Sequence, residues 1–187
     1  MRRKGRELWL SLLAIMLITA IYATVVLLTK SIPAASGLFG HLLGVLGFVL
    51  MLMTEILYSL RKRSRRAMWG SMFEWLQFHI FTGLVGPFMV LLHTSWKFNG
   101  LAGITTLLTI IIVASGFVGR YIYTMIPRTM DGAELETAGG QIQGSVLAQA
   151  RRMMAIWHAV HIPIGMALFT AAFIHIVAAL YYATLLR

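Results

Sequence analysis

The stretch "MFEWLQFHIFTGLVGPFMVLLHTSW", residues 72–96, is apolar over a length that crosses a hydrocarbon core of about 30 Å at about 1.5 Å per residue. It nevertheless carries His79 and His93 among side chains that offer an imidazole almost nothing to hydrogen-bond. Ionisable residues in such a setting are costly and need a specific partner or task. The two are 14 residues apart, just under four helical turns, so both rings fall on nearly one face, about 21 Å apart along the axis.

The pattern occurs twice. "HIPIG" at 161–165 repeats the form of "HIFTG" at 79–83, with a glycine four residues after the histidine, and His175 follows His161 at the same 14-residue spacing. Hydropathy places five membrane spans, near 8–29, 38–60, 72–96, 101–123 and 153–186. With 59% hydrophobic residues in 187, the chain is too apolar for a soluble domain. The reading is an all-α membrane protein, a five-helix bundle forming one domain over 1–187.

Trp9, Trp69, Trp96 and the "RYIYTMIPR" stretch at 120–128 mark span ends as interfacial anchors. The first span is about 22 residues long, beyond the roughly 7–15 of a signal-peptide core, and reads as a retained helix. Residues 129–150 are polar, contain three of the six acids and read as a cytoplasmic connection, either a docking surface or a plain solvated link.

Charge gives the orientation, since Lys and Arg accumulate on the cytoplasmic side. With the N-terminus inside, thirteen of the sixteen basic residues are cytoplasmic; Lys30, Lys97 and Arg187 remain outside. The net charge of +10 therefore reads as topology and attraction to the anionic headgroups of a lipid bilayer, not as a nucleic-acid surface.

One span separates the third from the fifth, so these two run in the same direction. His79 then lies level with His161 toward the cytoplasm, and His93 level with His175 toward the outer face. Two levels with facing imidazoles meet the requirement of two bis-histidine haems, with each iron axially ligated from both sides. The chain has no cysteine, which excludes disulfides, thiolate-held iron–sulfur clusters and covalently attached haem, and leaves two haem b. Gly83 and Gly165, about one turn from the inner ligands, and Gly86, midway along the third span, would let a macrocycle approach the backbone without meeting a Cβ.

Other readings bear on single residues. A lone histidine in a membrane helix serves equally to hydrogen-bond a neighbouring helix or to line a wet cavity; the duplicated, depth-matched spacing favours ligation. Zinc is a poor competitor, because ligands about 21 Å apart cannot close one tetrahedral site. His158, spaced 17 from His175, reads as a residue of the cytoplasmic interface, near a haem propionate or in water, and His41, without a partner at matching spacing, as interfacial, with a quinone or propionate contact as the alternative. Arg120, Arg128, Arg151, Arg152 and Lys97 are candidates for pairing with haem propionates, or are topology signals only. Glu55 lies deep enough in the second span to need a partner, either an arginine or a proton at a quinone site. "SGFVG" at 115–119 reads as helix packing, and the methionines as core filler.

Paired His-x13-His motifs on two parallel helices resemble the diheme core of cytochrome b and, more closely, the ferric reductase-like transmembrane domain shared with NADPH oxidases, whose ligands also lie on the third and fifth helices. The likeness covers roughly residues 38–186; "GHLLGVLGF" and "VGRYIYTMIPR" also look like stretches of bacterial ferric reductase-like proteins. The chain has five spans where that domain usually has six, and no G-x-G-x-x-G dinucleotide fingerprint. The resemblance implies a multi-pass protein of the bacterial inner membrane that moves electrons across the bilayer as the cytochrome subunit of an oxidoreductase. It also implies partners: a cytoplasmic iron–sulfur or flavin protein, or a periplasmic cytochrome. The alternatives are a quinol- or quinone-reactive subunit with a quinone site beside one haem, and a non-redox scaffold or transporter component.

Overall fold

The computed structural model describes residues 5–63, 70–126 and 141–185. All regular structure in them is helical: α1 (Arg6–Thr29), α2 (Leu38–Arg63), α3 (Met72–His93), α4 (Gly100–Thr124) and α5 (Gln141–Leu185). All five are long and apolar enough to cross a membrane, the candidate spans of a multi-pass membrane protein. The chain divides into two compact units, Met1–Lys97 and Phe98–Arg187.

In the first unit α3 packs against both α1 and α2. It begins with a reciprocal cap: the Glu74 N–H donates to Ser71 Oγ at 3.3 Å, and the Ser71 N–H donates to Glu74 Oε2 at 2.9 Å. This satisfies two of the N–H groups that a helix start leaves without internal partners. The helix stops at His93, three residues before the expected end at 96, because Ser95 and Trp96 adopt left-handed φ of 50° and 63°. Ser95 Oγ then donates to the Pro33 carbonyl at 2.6 Å and ties this end of α3 to the α1–α2 connection.

Leu43, Val85, Met89 and Leu92 form the buried core of this unit, with Ile18, Tyr22, Phe39 and Phe88 packed around them. Within α3 only Glu74 is exposed. The helices α2 and α3 approach closely at Gly47 and Gly86, where a Cβ on Gly86 would stand 2.9 Å from the Gly47 carbonyl oxygen. Without a hydrophobic drive between helices in lipid, such small-residue contact is what holds them together. Nearer the start of α3, Thr54 Oγ1 donates to Thr82 Oγ1 at 2.6 Å across the same seam.

In the second unit α4 packs against α5. Ile122, Ile126, Ala150 and Met154 are buried together, flanked by Tyr123, Leu147 and Trp157. The expected connection at 129–150 is therefore corrected over its second half: the chain is helical from Gln141, twelve residues before the expected start at 153. The reason is a helical stripe, Leu147, Ala150, Met154 and Trp157, that covers the end of α4 while polar neighbours such as Gln149, Arg151 and Arg152 stay exposed. Residues 127–140, including Arg128, lie outside the described residues. Large apolar side chains lie exposed along the other helices, among them Leu27, Leu38, Ile110, Met166 and Val177, as lipid-facing positions require.

Candidate functional site

Both histidines of α3 are held by the backbone of α2. His79 Nδ1 lies 3.1 Å from the Thr54 carbonyl oxygen, and His93 Nδ1 lies 2.8 Å from the Gly40 carbonyl oxygen. A carbonyl only accepts, so Nδ1 carries a proton in each ring, and in the neutral imidazole Nε2 carries the lone pair. The acceptors, at 40 and 54, are themselves 14 residues apart, so the antiparallel helix reproduces the spacing of the histidines. The ring of Tyr58 packs on His79 at a centroid distance of 4.7 Å. The ring of His93 lies over Gly44, where a Cβ would come within 2.8 Å of Nδ1.

The second unit holds His161 differently. Its Nδ1 lies 2.9 Å from Ser115 Oγ on α4. The indole of Trp157 stacks on the imidazole at 4.5 Å with 29° between the planes, and its Nε1–H donates to the Ser115 carbonyl at 2.8 Å. That indole occupies the space a side chain on Gly119 would fill, which assigns "SGFVG" to helix packing. The ring of His158 lies 4.8 Å from that of Trp157, tilted by 54°. His175 is partly buried farther along α5.

The glycines divide. A Cβ on Gly83 would be in ordinary van der Waals contact with Thr54 Cγ2 at 3.5 Å, and one on Gly165 with Ile112 Cδ1 at 3.9 Å, so either position would accept a Cβ without a clash. Gly86 is taken up by contact with α2: a Cβ there would meet Gly47, Met51 and Leu50 within 3.1 Å. Arg120 is partly buried on α4 beside Gly119, Arg151 and Arg152 are exposed on α5, and His41 is exposed on the first turn of α2. Glu55 is exposed and accepts from Ser59 Oγ at 3.4 Å; the arginine partner expected for it is not found among the described residues.

Sequence reasoning missed Thr54, Gly40, Ser115, Trp157 and Tyr58 as the groups that hold the histidines. The small-residue patterns "GHLLGVLG" and "SGFVG" were the available signal, since close helix approach is what brings a neighbour's backbone within reach of an imidazole. No three His, Asp or Glu side chains converge as a caged metal ion would need, among the described residues. No protein-family model, curated protein or solved structure matches this chain.

Proposed function

We propose that the chain is a diheme b-type cytochrome that carries electrons across a membrane, with His79 and His161 ligating an inner haem and His93 and His175 an outer one. The observation that carries this reading is the state of the α3 rings. Two imidazoles 14 residues apart, on a helix with a single exposed residue, each have Nδ1–H bound to a fixed carbonyl, which orients the ring and leaves the Nε2 lone pair for a metal. Ligating histidines characteristically donate their second nitrogen in this way, and the bond raises their basicity. A histidine serving only to bridge helices needs no such duplicated arrangement.

The residues present fit the group. A haem brings four nitrogens of its own, so two imidazoles suffice and no larger cluster is needed. Gly83 and Gly165, one turn from the inner ligands, put no side chain in its way. When bound, a haem with two imidazole ligands supplies one-electron transfer and offers no open position for oxygen. The chain's own contribution is to fix the rings, bury them among apolar side chains and tune the iron through the Nδ1 partners.

The wider setting belongs to the same proposal: a ferric reductase-like membrane subunit in the bacterial inner membrane, N-terminus cytoplasmic, working with separate redox partners. Thirteen of sixteen basic residues on one side support that orientation. The test is the absorbance spectrum and haem content of the purified protein. Dithionite should produce the sharp α-band of low-spin b haem at about two haems per chain, falling to about one in His93→Ala or His79→Ala. A colourless protein from iron-replete cells, or haem content unchanged in those variants, refutes the assignment.

A further inference from the structure

The two inner histidines are held by inequivalent groups, and the cause is visible. In the first unit the Thr54 hydroxyl is engaged with Thr82 Oγ1 at 2.6 Å and with the Leu50 carbonyl at 2.9 Å, and the Thr54 carbonyl receives His79. In the second unit the corresponding carbonyl, that of Ser115, is already taken by the Trp157 Nε1–H at 2.8 Å. His161 meets the Ser115 hydroxyl instead, at 2.9 Å. Trp157 has little freedom to leave, because its ring is seated on Gly119 and stacked on His161.

A hydroxyl, unlike a carbonyl, both donates and accepts. Trp157 Nε1–H, which only donates, also lies 3.2 Å from Ser115 Oγ and engages one lone pair of that oxygen. That leaves its second lone pair and its own proton to meet the His161 Nδ1 at 2.9 Å. We propose that Ser115 is a positioning residue for His161: it accepts the Nδ1–H, fixes Nε2 as the ligating nitrogen, and makes this ligand electronically different from His79.

The redox consequence rests on the haem reading; the hydrogen bond does not. An acceptor on Nδ1–H increases the electron donation of an axial imidazole and favours the ferric state, so its removal favours the ferrous state. Ser115→Ala should therefore raise the midpoint potential of one haem and leave the other where it was.

Two measurements on the full-length chain in lipid nanodiscs test this. In the haem-free protein, 15N NMR of the imidazoles, with His161 assigned by comparison with His161→Gln, should show the Nδ1–H tautomer. It should shift toward Nε2–H in Ser115→Ala and return in Ser115→Thr. A wild-type His161 with its proton on Nε2 overturns the proposal. In the haem-loaded protein, redox titration should show one of two potentials raised in Ser115→Ala at unchanged haem content, with a matching change in one set of low-spin EPR g-values, both restored by Thr. Potentials and g-values identical to wild type also overturn it. Because the tautomer is read without cofactor, failure to bind haem would remove the haem reading while the tautomer still decides the role of Ser115.

Discussion

Gly44→Ala puts the link between helix packing and the histidine site to a quantitative test. A Cβ at residue 44 would stand 2.8 Å from His93 Nδ1, 2.9 Å from Cγ and 3.0 Å from Cδ2, closer than real Cβ contacts come, so the imidazole must shift. The ring is tied to the Gly40 carbonyl by a 2.8 Å bond, and its backbone is the last residue of α3, so the easiest relief is to swing it off that carbonyl. A net hydrogen bond of this kind is worth about 0.5–1.5 kcal/mol. Transmitted to ligation, and at about 1.4 kcal/mol per tenfold, that corresponds to roughly 2- to 12-fold weaker haem retention at the outer site. Folding stability should change less, since the gain in helix propensity from Gly to Ala, about 0.8–1.0 kcal/mol, offsets the strain.

On the proposed haem ligation, the assay is haem transfer to excess apomyoglobin, followed in a His79→Ala background that should retain only the outer site. Gly116→Ala is the control: a Cβ there meets nothing within 4 Å, so retention should be unaffected while the propensity gain of about 0.8–1.0 kcal/mol remains. Gly44→Ala retaining the outer haem as tightly as the control would refute the link between the α2 glycine face and His93.

Two further outcomes follow from the α2–α3 seam. Gly86→Ala should destabilise the protein by about 1–3 kcal/mol from overpacking, less the propensity gain, because its Cβ would press on the backbone oxygen of Gly47 at 2.9 Å; unfolding in mixed detergent micelles measures this. Thr82→Val preserves shape but removes the 2.6 Å bond to Thr54, and the same assay should register a loss of about 0.6 kcal/mol, the average for a hydrogen bond between membrane helices.

The sequence by itself determined the axial coordinates of this protein. Helical rise and rotation per residue are fixed, so the five apolar stretches gave the helices, and the spacing from 79 to 93 and from 161 to 175 placed each histidine pair on one face of its helix. The start of α5 was not legible in the same way: the polar composition of 141–150 resembles a loop until its apolar stripe is seen against Ile122 and Ile126. Only the tertiary structure decided what each ring is held by. The acceptors for His79 and His93 are backbone carbonyls 25 and 53 residues away, and every residue type has a carbonyl, so no side-chain signature marks them. Ser115 and Trp157 carry side chains of their own, yet their roles follow from a competition for one oxygen that arises only when α4 and α5 meet at Gly119. Position along a helix is a property of the chain; the partner across the seam is a property of the packing.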